Sequence, residues 1–199
     1  MFVYYWFMRK KDLNKEECIL QSSLTLITTQ GLSNLSMSKI AKASNVSPAT
    51  IYIYFKNKED LINKLYLKTK EKMSESIFTT VHSQQNLKEQ YRQIVTNFIH
   101  FNMENENEFL FLEQIQNSPV LDSETLKESD EMFSILFNLY TVGKQKKILK
   151  NSDSRLLSIM TSSPTMEYVK LFHKKQVEGS PEEIKDLINM CWDAIAKNK

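Results

Sequence analysis

The chain has 199 residues, 41% hydrophobic and 25% charged, with only 3 Gly and 4 Pro; that is enough for one medium core or two small ones and too few turn residues for a strand-rich fold. The net charge of +2 excludes a polycation, yet residues 1–81 carry 12 Lys and Arg against 7 Asp and Glu, residues 82–140 carry 3 against 10, and residues 141–199 carry 11 against 7. A basic N-terminal block followed by an acidic middle implies that only the first part meets a polyanion.

The opening "MFVYYWFMRKKD" has an apolar run of only about eight residues, near the bottom of the range for a secretion signal, and its positive charges follow that run where a signal would have them precede it. Residues 1–12 therefore read as a flexible N-terminal extension. From Leu13 the apolar residues Ile19, Leu20, Leu24 and Ile27 recur at helical steps and stop at Gly31, which predicts a first helix closed by a C′ glycine. Ser36 is placed to cap a second helix whose residues Met37, Ile40 and Ala41 share a face and which ends near Ser44-Asn45, since asparagine tolerates the left-handed conformation of a tight turn. Ser47 then caps a third helix with Pro48 at its first position, where the missing N–H is no loss.

Two short helices joined by a tight turn, behind a longer one, predict a helix-turn-helix over residues 13–57. A connecting amphipathic helix follows over 58–81, with Leu61, Ile62, Leu65 and Tyr66 in one stripe. Further helices are predicted at 87–104, 105–117, 122–150, 153–178 and 181–197, separated at Asn117-Ser118-Pro119, Asn151-Ser152-Asp153 and Gly179-Ser180-Pro181. The fold class is thus all-α, about nine helices in all. Pro164 is expected to kink the fourth of these segments or delay its start.

On the third helix Ile51 and Phe55 read as core, whereas Thr50, Tyr52 and Tyr54 carry hydroxyls that can meet phosphate oxygens, with Lys58 at the start of the next helix. The span from Cys18 to Leu65 resembles the DNA-binding domain of the TetR/AcrR family of transcriptional regulators. The resemblance rests on Gly31, Ile40-Ala41, Val46-Ser47, Thr50, Tyr52, Tyr54-Phe55, and Lys58-Glu59 followed by Leu61. Two positions depart from the pattern: Ser44-Asn45 stand where a small residue and a glycine are usual, and Ala49 where glycine is frequent.

The resemblance implies that Ser36 and Ser38 contact the DNA backbone or a base edge, that Thr50, Tyr54 and Lys58 hold phosphates, and that Pro48, Ala49 and Tyr52 lie on base edges in the major groove. The third helix contains no Arg, Asn or Gln, so bidentate reading of guanine or adenine is unavailable from it, and readout leans on methyl contacts and DNA shape, helped by Lys39 or by Arg9-Lys10-Lys11. The resemblance also implies that residues 82–199 form a ligand-binding and dimerisation domain, and that the last two helices build a homodimer across a palindromic operator. The stripe Ile184, Leu187, Ile188, Cys191, Trp192 and Ile195 suits either that partner or packing within one chain.

An aromatic and methionine set from Phe98 to Phe172, including Phe101, Phe109, Phe133, Phe137, Tyr140 and Met160, is assigned mainly to core, with an unassigned subset lining an effector pocket. His100 and Glu104 complete no metal site, and Cys18 and Cys191 match no metal or redox spacing. No nucleophile-and-base motif or phosphate loop appears. The expected protein is therefore a cytoplasmic, non-enzymatic regulator without cofactor or membrane partner: a homodimeric repressor released from a palindromic operator by a small hydrophobic ligand. The alternative is a DNA-binding regulator controlled by a protein partner.

Overall fold

The computed structural model of the chain describes residues 2–82, 84–116 and 118–197, and of residues 2–14 the backbone alone. Among the described residues the regular structure is helical: α1 (Phe2–Gln30), a single 3-10 turn (Leu32–Asn34), α2 (Met37–Ala43), α3 (Pro48–Tyr54), α4 (Lys58–Phe78), α5 (Leu87–Glu104), α6 (Glu106–Ile115), α7 (Ser123–Met132), α8 (Ser134–Gln145), α9 (Ser154–His173) and α10 (Pro181–Ile195). The helices gather into two compact units, one formed by the chain up to Thr69 together with Asn107–Leu126, the other by Lys70–Glu106 together with the chain from Lys127 onward.

In the first unit α2 packs on α1 and α3, burying Ile19, Leu24 and Ile27 of α1, Ile40 and Ala41 of α2, and Ile51 with Phe55 at the end of α3. The local rules read from the sequence account for the boundaries. Gly31 stands at φ 85, closing α1. Ser36 caps α2 by accepting from the Lys39 N–H, and Ser47 caps α3 by accepting from the Thr50 N–H. Asn45 holds φ 52, while Val46 N–H donates to Ala41 O at 3.0 Å and Asn45 N–H to Lys42 O at 3.3 Å. That pair of bonds is the Schellman ending, so asparagine makes the turn that glycine usually makes.

Two boundaries differ from the expected ones. The first helix starts at Phe2, running through the segment read as an extension ending at residue 12. The Leu13 start rested on an apolar repeat, and the nearly all-apolar run from Phe2 to Met8 has no polar face from which a period can be read. Residues 107–126, expected within the second domain, cluster with the first unit. Asn63 of α4 accounts for this: its amide donates to Val120 O at 2.9 Å and its carbonyl accepts from the Asp122 N–H at 3.1 Å. A buried amide whose partners lie nearly 60 residues away is invisible to a local reading.

In the second unit α5 packs against α8, α9 and α10, and α9 against α8 and α10. The stripe of α10 faces its own chain, since Ile184, Ile188, Cys191, Trp192 and Ile195 are all buried and Trp192 stacks obliquely on Tyr91 at 5.1 Å. Ser180 and Glu183 form a reciprocal capping box at its start. The single helix expected over 122–150 is two helices broken at Phe133, followed by an extended stretch in which Lys150 N–H donates to Ile195 O and Lys197 N–H to Ile148 O. Pro164 neither delays α9 nor ends it. Its ring lies on the solvent side of the helix.

Candidate nucleic-acid interface and buried cavity

The exposed face of α3 consists of Pro48, Ala49, Tyr52 and Ile53, with Thr50 and Tyr54 half-buried at its edges. Tyr52 is 57% and Ile53 76% exposed, although both are large and apolar enough to prefer cover. An α-helix with its side chains is about 10–12 Å across, which fits a major groove about 12 Å wide. Ile53 was missed in the sequence reading because it carries no hydrogen-bonding group. Its signal was there: the residue between Tyr52 and Tyr54 lies two positions from both Ile51 and Phe55, off the buried side of the helix.

Around this face the polar candidates are held by local bonds. Ser36 Oγ lies 3.1 Å from Ser38 Oγ, and Ser47 Oγ 2.9 Å from Thr50 Oγ1. Lys39 donates to Asn34 O at 2.9 Å. At the start of α4, Asn57 Oδ1 accepts from the Asp60 N–H, and Asp60 Oδ2 accepts from the Lys56 N–H, both at 2.8 Å. The helix end is therefore capped and already carries the negative charges of Glu59 and Asp60. The ammonium of Lys58, with exposed Lys56 beside it, supplies the local attraction for an anion, and the helix terminus does not. All eight anticipated contact residues are exposed or half-buried, and the Tyr54 carbonyl accepts from Lys64 at 2.8 Å.

The second unit holds a cavity of 220 Å³. Its walls are Lys70, Ile77 and Phe78 of α4, Ile94, Val95 and Phe98 of α5, Asp130 of α7, Phe133 at the break, Leu136, Phe137 and Tyr140 of α8, and Ser158, Thr161 and Ser162 of α9. Phe133 packs edge-on to Phe78 at 5.8 Å, and Phe137 edge-on to Tyr140 at 6.3 Å. Of the aromatic and methionine set, Phe98, Phe133, Phe137 and Tyr140 line the cavity, Phe101, Phe109 and Phe111 are core, and Met160 is exposed.

Thr161 closes the polar wall. Its hydroxyl donates to Leu157 O at 3.2 Å and accepts from Tyr91 at 3.0 Å and Tyr140 at 3.3 Å, which uses its one hydrogen and both lone pairs. Burial pushes the Tyr140 phenol up to about 12 and Tyr91 higher still, so both stay protonated as donors. At the other side Lys70 Nζ sits 4.0 Å from the centre of the Phe133 ring. Removal from water lowers its ammonium to about 8, against an opposing pull from Asp130.

Among the described residues no group of three or more His, Cys, Asp or Glu is placed to hold a metal ion, and no helix is long and apolar enough to cross a membrane. On α9 the side chains of Leu156, Ile159 and Met160 are 54%, 48% and 47% exposed, and Met190 of α10 is 64% exposed.

Two family profiles match the chain, one described as bacterial regulatory proteins, tetR family, over residues 19–65, the other as tetracyclin repressor-like, C-terminal domain, over residues 66–197. An HTH-type transcriptional regulator of Haemophilus influenzae is 32% identical over 195 residues, which is 96% of this chain and 100% of that protein. A TetR family transcription regulator from Marinobacter aquaeolei VT8 has the same fold at a TM-score of 0.90 and 26% identity, over 96% of this chain and 100% of that one. The transcriptional regulator FadR from Bacillus subtilis, solved in complex with stearoyl-CoA, has a TM-score of 0.73 at 22% identity, over 90% of this chain and 98% of its own. With the helix-turn-helix and the helical second unit each matched along their length, the chain belongs to the TetR family as a DNA-binding transcriptional regulator.

Proposed function

We propose that the protein is a homodimeric repressor that leaves a palindromic operator when a small, largely apolar molecule enters the second-unit cavity. The observation that carries this reading is α3, which exposes Tyr52 and Ile53 side by side; such a face is explained by a partner with base edges and methyl groups. Ser36, Ser38, Thr50, Tyr54 and Lys58 then serve the phosphates, and Pro48, Ala49, Tyr52 and Ile53 the bases. With no bidentate donor on α3, Ile53 and Ala49 read thymine methyls.

The dimer is supported by Leu156, Ile159, Met160 and Met190, exposed on two helices that pack on each other. A second copy of the same face would cover them, giving a twofold molecule with two recognition helices. Effector control is favoured over control by a protein partner because the second unit contains an apolar cavity with few polar groups. The stearoyl-CoA held by the FadR of similar fold supports an effector with apolar carbon. Ligand release follows as a population shift. Lys70, Ile77 and Phe78 of the cavity wall belong to α4, the helix that begins at Lys58, so a molecule that binds one position of α4 better than another biases the DNA-binding state.

Selection of random duplex DNA by the purified protein at two salt concentrations tests the reading. It expects an enriched palindrome whose affinity falls steeply as salt rises. Binding indifferent to sequence would remove the operator reading.

A further inference from the structure

We propose that Lys64, on the second turn of α4, is a positioning residue of the recognition helix: by holding the last carbonyl of α3 it sets the pose in which Tyr52 and Ile53 meet base edges, without touching DNA itself. This rests on the reading of α3 as the base-contacting helix and adds the residue that fixes its angle.

The helix α3 has seven residues, too few to persist by propensity alone, so its pose is set by what grips it from outside. At its start the Ser47 hydroxyl accepts from the Thr50 N–H at 3.1 Å, and on its inner side Ile51 and Phe55 are buried. Its last turn contains no basic residue, although carbonyls without an intrahelical partner gather there at the negative end of the helix dipole. Lys64 fills that place from ten positions along the chain, its ammonium donating to Tyr54 O at 2.8 Å. The same Nζ lies 3.8 Å from Asp60 Oδ2 and 5.0 Å from the centre of the Phe55 ring, so three neighbours fix its direction as well as its distance. Asp60 in turn accepts from the Lys56 N–H at 2.8 Å. The short link between the two helices is thus tied to α4 at Tyr54 and again at Lys56.

A lysine in a DNA-binding unit is ordinarily counted as a phosphate contact. Lys64 is placed for another task, since its donor is spent on a carbonyl and its charge faces Asp60. Tyr52 and Ile53 lie within two positions of that carbonyl, so a loosened end of α3 displaces them before it reaches the capped first turn. Base contacts depend on such placement, whereas attraction to phosphates tolerates displacement. The effect of Lys64 therefore falls on discrimination between sequences.

The operator duplex selected from the random pool and a shuffled duplex of the same length are titrated with full-length protein by fluorescence anisotropy over several salt concentrations. Lys64→Met keeps the aliphatic stem and removes donor and charge. It is expected to lower operator affinity about tenfold or more, the worth of a well-placed base contact, and to change affinity for the shuffled duplex by less than about twofold. The salt slope stays as in wild type, where loss of a phosphate contact would lower it by about 1 per subunit. Lys64→Arg brings charge and donors to the same carbonyl and restores operator affinity to within about threefold. In the DNA-free protein, exchange of the Phe55 amide, which donates to Ile51 O at 3.0 Å, is expected to speed up about tenfold in Lys64→Met and to stay near wild type in Lys64→Arg. A thermal melt shows that each variant folds.

Equal losses on both duplexes overturn the proposal, a shallower salt slope then marking a phosphate contact and a lowered melting temperature a role in folding alone. Unchanged operator affinity in Lys64→Met, or unchanged exchange at Phe55, overturns it as well. Ile53→Ala separates that failure from failure of the base-reading helix. If Ile53→Ala weakens operator binding and Lys64→Met does not, α3 reads the bases and Lys64 has no part in setting it; if neither variant changes operator binding, the base-reading role of α3 falls and the role of Lys64 falls with it.

Discussion

The first unit exposes its candidate contact residues, and the second has a cavity among its helices. Tyr52 and Ile53 of α3 stand out from a unit whose Ile51 and Phe55 are almost completely buried, and the polar residues near them bond within three or four positions of themselves. In the second unit the groups with most to offer a ligand are enclosed, and they bond across long stretches of chain, Tyr91 to Thr161 being 70 residues apart. An exposed surface can change its side chains without disturbing the fold, whereas a cavity wall is constrained, because residues such as Ile77, Ile94 and Tyr140 face the cavity and are also part of the core. Substitutions should therefore separate binding from stability in the first unit and couple them in the second.

The strongest challenge to that contrast is a surface of the second unit that behaves like the first. A charge placed in the exposed patch, Ile159→Glu with Met160→Glu, is expected to leave the melting temperature of the monomer nearly unchanged but to cost about a hundredfold or more in operator affinity, since two half-sites would no longer be held together. Sedimentation velocity beside anisotropy titration checks both halves; a dimer that survives the double change would place the twofold contact elsewhere.

Next in size is Thr161→Val. It keeps the shape but strands the buried hydroxyls of Tyr91 and Tyr140, so stability measured by urea unfolding should fall by about 2 kcal/mol. In the first unit Ile53→Ala should show the opposite pattern. Its stability is unchanged, and preference for thymine at one operator position weakens by about 1 kcal/mol, read from competition binding. Lys58→Gln is expected to weaken all DNA sequences alike and to lower the salt slope by about 1 per subunit, which a titration over several salt concentrations resolves.

The smallest effect concerns pH. The Tyr168 hydroxyl, followed by the Ser180 and Gly179 N–H groups, holds the Glu183 carboxyl below the usual carboxylate range. A carboxylate depressed in the folded state contributes stability above its unfolded pKa and loses it as pH falls through the folded one. Glu183→Gln should thus flatten the acid side of the stability curve, and a mutant that still loses stability in parallel with wild type would remove Glu183 from the account.

Legibility divides along the same line. The helix-turn-helix could be read because Gly31, Ser36, Asn45, Ser47 and Pro48 act on the backbone within a few positions, through caps, a left-handed turn and a proline-started helix. The second unit hid its boundaries. The break at Phe133 has no glycine or proline to announce it, and the chain turns beyond α8 and α9 with Lys147 at φ 56 and Lys175 at φ 57, where a lysine gives no sign of a left-handed residue. The apolar period of α10 identified a buried face without saying what covers it. Burial of Cys191 and Trp192 within their own chain answered that, and it moved the exposed apolar surface to Leu156, Ile159, Met160 and Met190.

By itself, then, the sequence determined the helical class, the caps and turn of α2 and α3, the core role of Ile51 and Phe55, and the family. All of these follow from rules that operate between residues at most four or five positions apart, or from a pattern held at fixed spacing. Tertiary structure alone decided which aromatics enclose the cavity, that Lys70 faces it, that Asn63 ties residues 120–122 to the first unit, and which side of α10 stays covered. Each of these depends on surfaces brought together from tens of residues apart, where the packing of one helix on another selects among faces that look alike in sequence.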